Sequence, residues 1–117
     1  MSKSNDAAGA TATALLYSGR PDPTWRLSER QLRQLVQIWD ALRPSSVPPL
    51  RAPPLGYRGC VVRSKTRRHW TAYGGVVAYA SANLPVELRV DDARQFESTV
   101  LATAPASLRL KHLTRQP

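Results

Sequence analysis

The stretch YRGCVVRSKTRRHWTAYGGVVAYASANLPVELRV, residues 57–90, decides the fold. Its runs 57–63 and 70–80 are rich in valine and aromatic residues, which favour extended backbone. The polar basic loop SKTRRH lies between the two runs, and this arrangement predicts a β-hairpin. Gly74 and Gly75 fall inside the second run, where glycine indicates a bulge or a close approach of two backbones.

A third strand is predicted at Val86–Val90, after a turn at Asn83–Pro85. Apolar and polar residues alternate strictly here, which is the period of a strand with one buried face. The three strands are expected to form an antiparallel meander. The side chains predicted to face the core are Val86, Leu88 and Val90, and those predicted to face solvent are Glu87 and Arg89.

An amphipathic helix is predicted to precede this meander. Ser28 is a good N-cap, and Gln31 has the position that completes a capping box. Apolar residues then recur at helical spacing from Leu32 to Leu42, which gives the helix one buried stripe. Pro44 disfavours helical backbone at the residue before it, so the helix should end there.

A second helix is predicted to follow the meander. Asp91 or Asp92 should cap it, because aspartate suits the N-cap and its charge suits the positive end of the helix. Pro105 should end it. The residues predicted to form its buried stripe are Ala93, Phe96, Val100, Leu101 and Ala104.

A first strand is predicted at Thr11–Tyr17, ended by Ser18 and Gly19, and a short edge strand is predicted within the tail 108–117. The expected order is therefore β-α-β-β-β-α-(β). Two helices on one face of a mainly antiparallel sheet make a two-layer α+β sandwich. A ferredoxin-like variant with an extra middle strand is one form of this architecture.

The chain of 117 residues has the usual length of a single domain. Residues 1–10 are small and polar, so we expect a disordered tail followed by one domain at 11–117. Five of the ten prolines lie in residues 44–55, which predicts a stiff, polyproline-like connector. A motif for a proline-binding partner is the alternative for this segment.

The formal net charge is +9, and only three of the seventeen basic residues are lysines. Such a charge attracts nucleic acid, anionic lipid or an acidic protein, although a GC-rich genome also enriches arginine. No apolar run approaches the length of a membrane span, and the N-terminus lacks the pattern of a secretory signal. Cys60 is the only cysteine, so a cytoplasmic protein without a membrane partner is expected.

The first candidate site is the loop SGRPDPTW, residues 18–25. Two prolines stiffen it, Arg20 offers a planar guanidinium, and Trp25 offers a stacking face beside Asp22. Alternatively, Arg20 and Asp22 pair with each other while Trp25 covers the core.

The second candidate site is the loop between the first two strands of the meander. Basic groups can neutralise phosphates or carboxylates there, and aromatic rings can stack on bases. The alternative is a solvated loop in an arginine-rich chain. The residues of this candidate are Arg63, Lys65, Arg67, Arg68, His69, Trp70 and Tyr73.

A third basic group lies near the C-terminus. It either forms one patch with the second candidate site or is simply solvated. Its residues are Arg109, Lys111, His112 and Arg115. No pair of histidines or cysteines has the spacing of metal ligands, so neither a metal site nor a cofactor is predicted. No catalytic residues are predicted, because the sequence has no nucleophile elbow, P-loop or G-x-G-x-x-G motif. Cys60 with His69 could imitate a Cys–His dyad across the hairpin, but nothing in the sequence indicates an activated thiolate.

These observations favour a non-enzymatic accessory or binding domain that contacts an acidic partner, which we expect to be a protein. The alternatives are a nucleic-acid-binding module that uses the basic 63–70 hairpin, and a small enzyme. A free edge strand also leaves open the pairing of two copies into a dimer.

Overall fold

The computed structural model describes residues 9–16, 21–48, 51, 56–108 and 110. Short 3-10 turns lie at Asp92–Arg94 and Ala106–Leu108. The longer elements of the described residues are β1 (Thr11–Ala14), β2 (Thr24–Arg26), α1 (Glu29–Ala41), β3 (Cys60–Arg63), β4 (His69–Tyr73), β5 (Val76–Ala80), β6 (Glu87–Val90) and α2 (Gln95–Ala102).

The six strands form one sheet in the order β2-β1-β3-β4-β5-β6, and all neighbours are antiparallel. The predicted α+β class with a mainly antiparallel sheet is confirmed. Because β2 and β3 are both antiparallel to β1, they run parallel to each other with β1 between them. With α1 as the connection they make a split β-α-β unit, which is the building block of ferredoxin-like folds.

Both helices pack on one face of this sheet. Successive strand residues point to opposite faces, so the pairing register separates two sets of side chains. The helices contribute Leu35, Trp39 and Phe96, among others, to the same buried cluster. The strand residues of the helix-covered face are Trp25, Ala12, Val62, Trp70, Tyr79 and Glu87 in one row, and Ala14, Cys60, Ala72, Val77 and Arg89 in the next.

The start of α1 confirms the predicted capping box. The Ser28 hydroxyl accepts from the Gln31 backbone N–H at 3.1 Å, and the Gln31 side chain accepts from the Ser28 backbone N–H at 2.8 Å. The helix ends at Ala41, before Pro44, as predicted. These two bonds satisfy two N–H groups that the helix itself leaves unpaired.

The connector begins as an additional edge of the sheet. The Val90 N–H donates to the Arg43 carbonyl at 2.8 Å, the Ser45 N–H donates to the Leu88 carbonyl at 2.9 Å, and Pro44 forms a bridge with Arg89. Proline is tolerated at such an edge because no further strand needs its missing N–H. Most of the remaining prolines of the 44–55 connector lie outside the described residues.

The 18–25 segment was predicted to be a loop, but its last part forms β2. The Ala14 N–H donates to the Pro23 carbonyl at 3.0 Å, and the Leu27 N–H donates to the Ala10 carbonyl at 3.1 Å. Proline fixes φ near the value of extended backbone, so the same residue that suggested a stiff loop also suits an edge strand.

The predicted second strand of the meander is two strands. Tyr73 pairs with Val76, so Gly74 and Gly75 form a two-residue hairpin turn rather than a bulge. Both glycines have positive φ, 63° and 89°, which the favoured hairpin turn requires at both central positions.

The prediction of which β6 side chains face the core was wrong, because Glu87 and Arg89 lie on the helix-covered face. Arg89 pairs with the fully buried Val77, and its guanidinium carbon lies 4.3 Å from the centre of the Trp39 ring. Arg89 also donates to the Trp39 carbonyl at 2.8 Å and forms an ion pair with Glu87 at 2.7 Å. A cation stacked on an aromatic ring, at the negative end of a helix, lies favourably on the helix-covered face. The apolar residues of this strand therefore take the opposite face.

The cap of α2 is Asp91, whose carboxylate accepts from the N–H groups of Phe96 at 2.7 Å and Glu97 at 3.0 Å. Regular helix starts only at Gln95, because Ala93 and Arg94 have positive φ. Ala93 is accordingly exposed, contrary to the prediction. The other predicted stripe residues are confirmed: Phe96, Val100 and Leu101 are fully buried, and Ala104 packs against the core.

The predictions for the two ends of the chain concern residues that are only partly described. At the N-terminal end, Ala10 is buried, and residues 1–8 lie outside the described set. At the other end, Leu108 belongs to a 3-10 turn and Leu110 is buried. The edge strand predicted within 108–117 otherwise falls on residue 109 and residues 111–117, which are not described.

Gly59 is required where the chain enters β3. Its φ is 103°, and an added Cβ would lie 2.5 Å from the Ala72 carbonyl oxygen. Gly59→Ala should lower the free energy of unfolding by about 4 kcal/mol, measured by urea denaturation. The control is Gly56→Ala, which has φ 84° and nothing within 4 Å of the added carbon. It should cost only the left-handed strain of about 1–2 kcal/mol, and equal losses in the two variants would contradict the clash.

Candidate functional site

Three basic residues share one register row across the sheet. Thr11 pairs with both Arg26 and Arg63, and Arg63 pairs with His69. The row lies on the outer face, which we define as the face of the sheet turned away from α1 and α2. Arg26, Arg63 and His69 are all exposed, and we call them the basic row.

The loop after β3 adds two cations beside the basic row. The loop closes by a bond from the Ser64 N–H to the Arg68 carbonyl at 2.9 Å, and the Ser64 and Thr66 hydroxyls are 3.0 Å apart. Lys65 and Arg67 are exposed between them. Of the seven residues of the second candidate site, Arg63 and His69 lie in the basic row, and Lys65 and Arg67 are exposed in the adjoining loop.

The outer-face positions of the described strands include no carboxylate. Their other members are threonine, valine, alanine, leucine and Tyr73. The described acidic residue of the strands, Glu87, lies on the helix-covered face beside Arg89. The basic row is thus not neutralised by its neighbours within the sheet, and its field extends into solvent.

Arg68 belongs to the other side of the molecule. Its guanidinium carbon lies 5.0 Å from the centre of the Trp70 ring and 6.0 Å from that of Tyr79, and its Nε donates to the Tyr79 hydroxyl at 3.2 Å. Arg68 therefore packs over the core, whereas Lys65 and Arg67 of the same loop are exposed.

The two tryptophans proposed for stacking on a partner are core residues. Trp70 is 1% exposed on the helix-covered face, and Trp25 is 7% exposed with its indole N–H donating to the Thr103 hydroxyl at 2.8 Å. Neither ring presents a free face to a ligand. Tyr73 is half-buried at the far end of β4, where its ring lies 6.2 Å from that of Tyr57.

The first candidate loop does not join the basic row. Arg20 lies outside the described residues. Asp22 accepts from the Leu16 backbone N–H at 2.9 Å, so its described role is to hold the chain between β1 and β2. The third basic group, Arg109, Lys111, His112 and Arg115, also falls on residues that are not described.

The single nucleophile–base pair suggested by the sequence is not assembled. Cys60 is buried on the helix-covered face, and His69 is exposed on the outer face, so the thiol and the imidazole lie on opposite sides of the sheet. Among the described residues, no three His, Cys, Asp or Glu side chains are grouped so that they could hold a metal ion. Neither described helix has the length and apolar composition needed to cross a bilayer.

A buried polar cluster under α2 was not predicted. The Tyr57 hydroxyl donates a short hydrogen bond to Oε2 of Glu97, whose side chain is 1% exposed. Oε1 of Glu97 has no hydrogen-bond partner. Helical spacing is the sequence pattern that could have predicted the burial of Glu97. This residue precedes Val100 by three residues and Leu101 by four, so it lies on the same face of the helix as both.

Burial controls the protonation of this cluster. It raises the pKa of Glu97, while the bond from Tyr57 and the charge of Arg94 act in the opposite direction. Burial also raises the pKa of the Cys60 thiol and of the Tyr57 hydroxyl, and the nearby carboxyl adds to both. For Asp91, burial outweighs the two helix N–H donors and the pKa is raised as well. Burial therefore favours the protonated form of each of these groups more than water does.

No protein-family model, no curated protein and no solved structure matches this chain. The functional argument therefore depends on the geometry and charge of the described residues.

The raised pKa of Glu97 predicts a specific pH dependence of stability. The folded protein retains the Glu97 proton to higher pH than the unfolded chain does. The contribution of this proton to stability is therefore complete below the ordinary glutamic acid pKa and is lost as the pH rises through the raised pKa. Relative to Glu97→Gln, which cannot titrate, the wild type should lose free energy of unfolding over this interval.

Urea denaturation of both proteins at a series of pH values measures this difference. The control is Glu29→Gln, which changes an exposed glutamate in the first turn of α1. A difference between wild type and Glu97→Gln that is constant with pH would show that Glu97 titrates alike in the folded and unfolded chain.

Proposed function

We propose that this protein is a non-enzymatic binding domain whose outer sheet face contacts an acidic partner protein. The observation that carries the proposal is the basic row, which presents Arg26, Arg63 and His69 together without a carboxylate at the other outer-face positions of the described strands. Lys65 and Arg67 are exposed in the loop that joins Arg63 to His69. The net charge of +9 supports the same partner chemistry.

A protein partner is favoured over single-stranded nucleic acid. Recognition of unpaired bases usually needs aromatic rings on which the bases stack. All three tryptophans are buried, and no aromatic residue of the described part of the chain is exposed. A carboxylate-bearing surface needs only the guanidinium groups, which bind carboxylates through two parallel hydrogen bonds.

The arginines are expected to raise the rate of association with the partner and to select partners of opposite charge, more than to increase affinity. An exposed ion pair contributes only about 0.2–1 kcal/mol, so a few such pairs give weak binding by themselves. Complementary charge does, however, raise the association rate and reject partners of the wrong sign. The predicted interaction is therefore weak at high salt and selective at low salt.

The test compares two charge-matched double variants. Arg26→Gln with Arg63→Gln removes two charges from the basic row, whereas Arg30→Gln with Arg33→Gln removes two from the exposed surface of α1. With a synthetic Glu-rich peptide as the probe, the first variant should weaken binding about tenfold at low salt, and the second by much less. Fluorescence anisotropy over a salt series measures both effects.

Equal losses in the two variants would show that only net charge matters, and the basic row would then not be the contact surface. A single-stranded oligonucleotide is titrated in parallel. Tighter binding of the oligonucleotide than of the peptide, with the loss confined to the basic-row variant, would overturn the choice of a protein partner.

A further inference from the structure

Large apolar side chains are exposed in the segments next to β6. In the described part of the chain these are Val47, Leu84 and Val86, with 62%, 63% and 61% of their surface exposed. Pro44 forms an antiparallel bridge with Arg89, and the Ser45 N–H donates to the Leu88 carbonyl. The chain then bends at Ser46 and Val47, where the Ser45 hydroxyl accepts from the Val47 N–H at 3.1 Å. Leu84 precedes Val86 by two residues in the connection between β5 and β6.

The outer face of the β5–β6 hairpin is also apolar. Its register brings Ala78 opposite Leu88 and Val76 opposite Val90. Exposure varies within this area: Val76 is buried, Leu88 and Val90 are half-buried, and Val86 is largely exposed. The most exposed apolar surface is therefore at the end of the hairpin where Val86 lies.

The same end carries the basic row. His69 pairs with Ala80. Tyr79 pairs with Glu87, so the next position of this antiparallel register puts Val86 opposite Ala80. One row thus runs from Arg26 on β2 to Val86 beside β6, changing from basic to apolar between β4 and β5. With about 4.8 Å between neighbouring strands, the row is about 24 Å long.

We infer that the partner is an amphipathic acidic segment of another protein, which lies along this row with carboxylates over the basic row and apolar side chains over Val86 and Leu84. The inference rests on the proposed function and names the chemistry of its partner. An extended segment of about seven residues spans this length at about 3.3 Å per residue. The apolar end supplies affinity that charge alone does not give.

Charge and composition select this occupant over two others. A second copy of the chain carries the same net charge of +9 and would be repelled from the basic row. A bilayer interface favours exposed tryptophan and tyrosine at its headgroups, and the described surface exposes no aromatic residue. An apolar patch beside cations instead matches a partner that alternates acidic and apolar residues.

The test uses two synthetic peptides of equal length with the same acidic half. In one the second half is leucine-rich, and in the other it is serine-rich. The leucine peptide should bind the wild type about tenfold more tightly, and this advantage should persist at high salt. Leu84→Ser with Val86→Ser should abolish the advantage while leaving affinity for the serine peptide unchanged.

Matched controls separate this inference from the proposed function. Arg26→Gln with Arg63→Gln should weaken both peptides by the same factor and keep the leucine advantage. Because Leu84 and Val86 are mostly exposed, their serine variants should melt within a few degrees of the wild type, as thermal unfolding checks.

Equal affinity of the wild type for both peptides, with strong salt dependence, would overturn the inference and leave the proposed function standing. Failure to bind either peptide at low salt would overturn both. Binding of anionic phosphatidylserine vesicles that depends on Val86, without discrimination between the peptides, would identify a membrane surface as the occupant instead.

Discussion

The packing of both helices against the same face of the sheet is the constraint on which the rest of the structure depends. Strand side chains alternate between faces, so this choice decides the side of every strand residue at once. In β3 and β4 it places Val62 and Trp70 under the helices and Arg63 and His69 on the outer face. The buried tryptophan and the basic row are thus two results of a single register.

The sequence predicts the parts of the fold that depend on local pattern. The capping box at Ser28, the helix end before Pro44 and the buried stripe of α2 from Phe96 onward follow from spacing and backbone chemistry, and these are found. The double glycine at 74–75 was harder to interpret, because its flexibility fits both a bulge and a tight turn. Only the pairing of Tyr73 with Val76 decides between them.

The remaining differences come from long-range contacts. Arg89 lies on the helix-covered face because Trp39, fifty residues earlier, offers a ring and a backbone carbonyl there. Glu97 is buried because Tyr57 reaches it from the segment before β3. In each case a polar side chain is stabilised by a partner that is distant in sequence, and a local sequence pattern does not identify that partner. The candidate site was also predicted only in part. Trp70 is next to His69 in sequence, but it lies on the helix-covered face, whereas His69 and Arg63 lie on the outer face.

The basic row contributes little to the stability of the fold. Arg26, Arg63 and His69 are exposed, and no carboxylate occupies the other outer-face positions of the described strands. Arg89 and Arg68, by contrast, stack on aromatic rings and so support the core. Local features that stability does not require are expected where a protein meets a partner. An acidic segment across the row would supply the opposite charges that the sheet lacks, and this makes the outer face, rather than the buried polar cluster, the surface on which function is to be sought.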